Sequence, residues 1–322
     1  MNWSFTASKI FSQCPRKWYY SKIMASPTTK DPLKREAYLL KQLQTIYAWR
    51  GSLVDTVITK LIVPKIKHHT LPSESEVIGY AMQLAAKQIE FGKSGKYRLP
   101  NMKKSSAGDA YCAFYDVEYN GNVDETKIQQ AIEDIKNSLK NLLRSDFLKY
   151  IARHSSQIIA QRRLTFHFAG VRISSTPDLI VFFKNERPLI VDWKVHGFAY
   201  VEYRLQLGIY GIALSKVNPH KDFPNDTYNQ LRDPTTIGSI EYQLLKNQLR
   251  EYSFNTEDIL DIEDYIFQSI MQINRAIDGK KYGRLDASQF QTARSPDICG
   301  RCQFKKLCWK NIPVQKGLFE VF

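Results

Sequence analysis

Two short apolar runs carry acids at positions that favour burial: Thr176-Pro177-Asp178-Leu179-Ile180-Val181 and Leu189-Ile190-Val191-Asp192-Trp193-Lys194. A carboxylate is rarely buried unless it is paired or metal-bound, so an acid within or ending an apolar strand needs a partner. Strand alternation puts Asp192 and Lys194 on one face, and an antiparallel neighbour would bring Asp178 alongside. Two converging carboxylates suit Mg²⁺ or Mn²⁺, hard cations that take oxygen ligands and keep waters. Such an ion stabilises charge on a phosphate and lowers the pKa of an attacking water, while Lys194 could orient that water or stabilise the transition state. A strand-end salt bridge between Lys194 and one acid fits the same residues, and acid-x-Lys alone does not choose between the two.

A second constellation is Cys299-x-x-Cys302 followed by Cys308 after five intervening residues. Three potential thiolates on one loop, 296–310, signal a metal site without choosing zinc or iron. The opening MNWSFTASKIFSQCPRKWYY has no signal-peptide h-region. A reducing cytoplasm is therefore expected, where clustered thiols bind metal more often than they form disulfides. Cys112 stands apart and reads as a small buried hydrophobe.

The elements that would position these residues follow from periodicity. Ala7 to Ile23, after Thr6 as N-cap, is helix-like and dense in aromatics. A helical pattern runs from Pro32 through Ile62, with Gly51 as an expected break or close-packing point. Ser75 to Phe91 and Asp124 to His154 carry apolar residues at helical spacing. Between them, Gly92 to Asp109 is basic and Gly/Ser-bearing and reads as a loop or insertion. From Gln157 the composition shifts to Val, Ile, Phe and Thr between turn residues, the mark of a sheet with hairpins. A helix from Tyr200 to Val217, strands at Ile240–Leu245 and Leu249–Phe254, and a helix from Thr256 to Ile277 follow. The cysteine-bearing tail reads as loop. Residues 64–156 form a helical and basic insertion in one α/β domain spanning 1–322.

At 322 residues and 43% hydrophobic, the chain can bury a substantial core, which excludes a disordered or fibrous protein. Its net charge of +14, from 46 basic and 32 acidic residues, favours a polyanionic partner. No apolar run approaches the roughly 20 residues that span a bilayer, so no membrane partner is expected.

In order and spacing, Pro177-Asp178, a short hairpin and then Asp192-Trp193-Lys194 resemble the PD-(D/E)xK nuclease superfamily. Gln206-Leu207-Gly208-Ile209-Tyr210 is similar to the Q-x-x-x-Y element of its RecB-like branch, where Gln and Tyr share a helix face. Cys14-Pro15-Arg16-Lys17-Trp18-Tyr19-Tyr20 resembles the C-P-R-K-aromatic-Y segment of AddB-type and CRISPR-associated RecB-like exonucleases. In those families one N-terminal cysteine and a C-terminal triad hold a [4Fe–4S] cluster. The resemblance implies a restriction-endonuclease-like fold with a central mixed sheet, and catalytic roles for Asp178, Asp192, Lys194, Gln206 and Tyr210. It further implies cluster ligation by Cys14, Cys299, Cys302 and Cys308, so that the cluster clips the N- and C-terminal segments together. Zinc held with Cys14 or a histidine is the competing occupant.

The family's G-x-x-x-H element appears as Gly51-Ser-Leu-Val-Asp55, with aspartate at the histidine position. Asp55 then either supplies a third hard-oxygen ligand or is an exposed helix residue with no metal role. Arg16, Lys17, Lys305 and Lys306 would gather beside the cluster, gripping DNA phosphate or remaining solvated. The expected activity is Mg²⁺/Mn²⁺-dependent hydrolysis of DNA at ends or in single strands, in the manner of an exonuclease. A catalytically weak DNA-binding scaffold and an RNA nuclease are the competing readings. With no G-x-x-x-x-G-K-[ST] loop, unwinding falls to a separate helicase, and a repair, recombination or defence partner fits the resemblance.

Overall fold

The structure, a computed structural model, describes residues 1–195, 200–218, 220–224 and 231–310. It divides into two compact units, Met1–Phe5 with Gln44–Gln268, and Thr6–Leu43 with Ser269 onward. The C-terminal end of the domain expected over 1–322 lies outside the described residues.

The larger unit is α/β. Its strands are β1 (Asn2–Trp3), β2 (Ser155–Ala160), β3 (Leu164–Phe168), β4 (Val171–Ser175), β5 (Leu179–Phe183), β6 (Leu189–Lys194), β7 (Gly238–Gln243) and β8 (Gln248–Tyr252). They form a three-stranded sheet, β1-β4-β3, and a five-stranded mixed sheet, β2-β5-β6-β7-β8. All five residues of β5 are buried, as expected of a strand covered on both faces. β5 and β6 run antiparallel with Leu179 opposite Val191, whereas β6 and β7 run parallel with Asp192 opposite Glu241. A parallel pair needs a crossover, and the helix Tyr200–Lys216 lies within it.

Helices Ile46–Val57, Glu74–Lys93 and Glu125–Arg144 pack together, and their buried faces join those of β5 and β6 in one apolar core. Their starts are set by side chains: Thr45, Ser73 and Asp124 each accept a hydrogen bond from a first-turn backbone N–H.

Several expectations need correction. Thr6 lies inside the helix Phe5–Gln13 and does not cap it, and the Ala7–Ile23 pattern breaks at Cys14, which caps a separate helix, Pro15–Tyr19. Gly51 lies inside the helix Ile46–Val57 and does not break it; the chain breaks earlier, at Leu43–Gln44, where Gln44 pairs with Phe114. The Asp124–His154 pattern is two helices, because Ser145 leaves helical geometry to cap Asp146–His154. Gly92–Asp109 is more than a surface loop: it holds short helical turns and buries Tyr97, whose hydroxyl donates to Glu118 at 2.5 Å. The cysteine tail likewise contains the short helices Pro296–Gly300 and Lys305–Lys310.

The smaller unit is helical. Aromatics of the Cys14–Tyr20 stretch pack on those near the C-terminus: Tyr19 stacks on Phe290 at 5.0 Å and Tyr20 on Phe304 at 5.6 Å. The Tyr19 hydroxyl also donates to the Leu285 carbonyl at 3.1 Å. These contacts join the two sequence-distant segments independently of any bound group.

Candidate functional site

Asp178 lies one residue before β5, at the end of the strand pair where β6 presents Asp192 and then Lys194. Its Oδ2 accepts the Trp193 backbone N–H at 2.9 Å, which pins the first acid against the segment carrying the other two residues. Lys194 pairs with Asp192, only 2% of whose surface is exposed. From the crossover helix, Gln206 Oε1 accepts from Lys194 Nζ at 3.4 Å, and its Nε2 donates to the Tyr210 hydroxyl at 2.6 Å. The Tyr203 ring lies 4.8 Å from Nζ. The helix can approach closely because residue 208 is glycine; a Cβ there would collide with Ile262 and meet Phe254 at 3.0 Å.

Asp55 enters from the helix Ile46–Val57 and is half-buried, not exposed. Together with Gly51, Ser52, Asp178, Asp192, Lys194, Gln206 and Tyr210 it lines a single cleft. Every acidic, lysine, Gln and Tyr position expected of the catalytic site is therefore brought together.

Two polar residues in and around this cleft escaped the sequence reading. Gln161 follows β2 with a left-handed backbone, φ +50°, and its side-chain amide donates to Asp55 Oδ1 at 2.9 Å and to Asp178 Oδ1 at 3.2 Å. A positive φ at a non-glycine residue is uncommon, and nothing in the Ala160-Gln161-Arg162 sequence announces it. The fully buried Glu241, paired in register with Asp192, accepts from the Tyr252 hydroxyl at 2.7 Å and from Gln243. An acid in the β7 run was a detectable signal, of the same kind as Asp192 in β6.

Electrostatics in the cleft are set by burial first and by crowded negative charge second. Burial, then the Asp192 and Asp55 charges, push Asp178 well above the usual carboxylate range. Burial pushes Asp55 up to about 6, with the Gln161 hydrogen bond opposing and Asp192 adding. Burial alone would lower the Lys194 pKa, but Asp192 and Asp178 outweigh it and keep the lysine charged. Burial and the same two acids hold the Tyr210 phenol protonated. Acids that resist ionising beside one another form a donor set suited to a hard cation, which would remove their mutual repulsion.

In the smaller unit, Cys14, Cys299, Cys302 and Cys308 line one cavity with Lys17, Tyr20, Phe304 and Lys305. Cys14 caps the helix Pro15–Tyr19, its sulfur accepting the Lys17 N–H at 3.4 Å, and Cys302 accepts the Phe304 N–H at the same distance. Burial raises the Cys299 and Cys308 thiols and takes Cys302 up to about 11, with Arg16 pulling Cys308 down and Lys17 opposing at Cys302. Four thiols lining one cavity beside cations and backbone donors suit a thiolate-ligated metal group. Arg16 Nε donates to the Phe290 carbonyl at 3.0 Å and Lys305 Nζ to the Gly300 carbonyl at 3.1 Å, while Lys306 is exposed. Cys112 lies apart, buried, with its thiol pushed up to about 12 by desolvation. Among the described residues, no three His, Cys, Asp or Glu side chains are drawn in to metal-binding geometry.

Compared with known families, the sequence matches the PD-(D/E)XK nuclease superfamily over residues 2–309. The chain belongs to that superfamily. Its α/β architecture, a mixed sheet flanked by helices, is consistent with the restriction-endonuclease-like fold of PD-(D/E)XK proteins. Among solved structures it is similar to a Eubacterium rectale protein provisionally described as an exonuclease, at 11% identity and a TM-score of 0.35, over 91% of this chain and 96% of that one. It is also similar to the crystal structure of SSO0001, at 15% identity and a TM-score of 0.30, over 73% of this chain and 98% of that one. Likenesses at these scores carry no argument about activity. None of the curated proteins matches the chain. Among the described residues of this PD-(D/E)XK protein, no helix is long and apolar enough to cross a membrane.

Proposed function

We propose that this PD-(D/E)XK protein is a Mg²⁺- or Mn²⁺-dependent DNA nuclease of the RecB-like branch, acting on ends or single strands as an exonuclease does. The observation that carries the reading is the shared cleft of Asp55, Asp178, Asp192, Lys194, Gln206 and Tyr210. Asp178 and Asp192, with Asp55 as third oxygen donor, would hold the cation. When bound, it supplies Lewis acidity to the phosphate and a more acidic water. Lys194, kept charged by its acid neighbours, positions the attacking water and offsets charge gathering on the phosphate. Gln206 holds the lysine from the helix side, and Tyr210 holds Gln206. The basic surplus draws the polyanion in, and a helicase or other repair or defence protein would supply single strands from duplex.

We further propose that Cys14, Cys299, Cys302 and Cys308 hold a [4Fe–4S] cluster with a structural role. Arg16 and Lys17 then serve chiefly to offset the charge of the thiolates, and Lys305 and Lys306 remain the candidates for contacting phosphate.

Purified protein with Mg²⁺ or Mn²⁺ should degrade single-stranded DNA. Asp192→Ala and Lys194→Ala should each reduce the rate by at least about a hundredfold while the variant remains folded, as read by circular dichroism at the assay temperature. Tight DNA binding by the wild-type protein without cleavage of any strand geometry would favour the scaffold reading, and cleavage of RNA alone would favour an RNA nuclease.

A further inference from the structure

The helix that brings Asp55 to the cleft also carries an unusually exposed aromatic residue. Tyr47 is 64% exposed, in the first turn after the Thr45 cap. Tyr47, Gly51 and Asp55 follow one another at intervals of four, so they share a broad helix face, and Gly51, Ser52 and Asp55 already line the cleft. The Tyr47 and Asp55 backbones are about 12 Å apart along the axis. The position between them is glycine with nothing within 4 Å of where a Cβ would stand, so the helix surface between ring and acid is open.

The support beneath the ring is fixed. The Arg50 guanidinium lies 5.5 Å from the Tyr47 ring centroid. Arg50 is itself buried, paired with Asp134, and donates through Nη2 to the carbonyl of Val195 at 3.0 Å, directly after Lys194. An exposed ring resting on a cation anchored to the catalytic strand is preorganised, so it loses little freedom on gaining a stacking partner.

We propose that Tyr47 is a stacking platform for a base of single-stranded DNA, a few nucleotides from the phosphate in the acid cleft. The inference rests on the nuclease reading of that cleft and adds a contact to the base, where the cleft residues address only the phosphate. Nucleobases fit this surface because each has a π-face, and aromatic stacking needs no particular sequence. The positive charge of the chain favours the same occupant.

The test uses the full chain carrying Lys194→Ala, so that binding is measured without cleavage, with fluorescence anisotropy of a labelled single-stranded oligonucleotide and an abasic strand of equal length. Tyr47→Ala should weaken binding of the normal strand about tenfold, Tyr47→Phe should bind within about twofold of the parent, and the abasic strand should respond to neither change. Equal binding by parent and Tyr47→Ala would overturn the proposal. So would an equal loss on the abasic strand, or no binding of the normal strand by the parent. A matching melting curve for Tyr47→Ala excludes misfolding as the cause of a loss, and if that variant melts early, the abasic comparison with Tyr47→Phe and Tyr47→Leu decides, Leu being expected to lose normal-strand binding. Because cleavage plays no part, the nuclease reading fails separately, on the absence of metal-dependent hydrolysis by the wild-type protein.

Discussion

Two carboxylates that repel each other are bridged at this site by one amide, that of Gln161 between Asp55 and Asp178. Removing it should free Asp55 of its amide donor and leave Asp178 held by the Trp193 N–H alone, and Gln161→Ala is expected to lower Mn²⁺ affinity and cleavage about 10- to 100-fold, as read by calorimetric titration and initial rates. Asp55 adds a pH dependence. In the metal-free folded protein its proton is held up to about pH 6, against an ordinary value of 3.8. The folded state therefore binds more protons between those values, so the stability this group contributes is complete below about pH 3.8 and is lost as pH rises through about 6. A cation must displace that proton, so the Asp55 contribution to Mn²⁺ affinity should fall as pH drops below about 6, on top of the dependence that the raised Asp178 carboxyl adds. Asp55→Asn should flatten that profile in titrations across the same range; an unchanged slope would remove Asp55 from the ion's surroundings. That Asp178, Asp192 and Lys194 converge was legible because an acid in an apolar strand is costly and strand alternation fixes which residues share a face, whereas their catalytic reading over a salt bridge came from the family resemblance. Gln161 was not legible, since its role comes from a left-handed backbone that its neighbours do not encode.

Among the elements, the helix Tyr200–Lys216 is the most constrained, because it must carry Gln206 and Tyr210 to the cleft while packing through Gly208 against Ile262 and Phe254. Gly208→Val should destabilise the protein by about 1–3 kcal/mol through overpacking. Its urea midpoint should fall, and cleavage should drop further than the stability loss explains, since Gln206 moves away from Lys194. The extent of this helix and of Thr256–Ile277 was legible to within a residue, the second from its amphipathic spacing. The break at Ser145 was not, because the apolar spacing continues across it while one serine turns from helix former to cap. Gly51 misled in the opposite sense: a glycine in a helix costs stability but need not end it, and here its absent side chain leaves cleft surface open.

For the whole molecule, the charge surplus and the cysteines set the expectations. DNA binding should weaken steeply between about 50 and 200 mM salt, with a log–log slope that reports how many phosphates are neutralised. Protein purified without oxygen should contain iron and absorb broadly near ~400 nm, and Cys308→Ser should lose both and melt earlier; stoichiometric zinc without iron would overturn the cluster. The α/β class was legible from the switch between helical and strand periodicity near Gln157, whereas the mixed sheet was implied by the family resemblance. The division into two compact units was not legible, since one of its boundaries falls inside the continuous helix Thr256–Ile277 and another inside Phe5–Gln13, where the sequence pattern has no reason to change. The antiparallel pairing of β5 with β6 also sets where the protein can be altered. Its acids stand at one end of the ribbon, and the exposed turn at Lys184–Asn185 closes the other, on the order of 20 Å away. That turn is a natural port: a peptide tag or fluorophore carrier spliced between Lys184 and Asn185 should leave cleavage within about twofold of wild type, giving a handle for tethering the enzyme or following it on DNA.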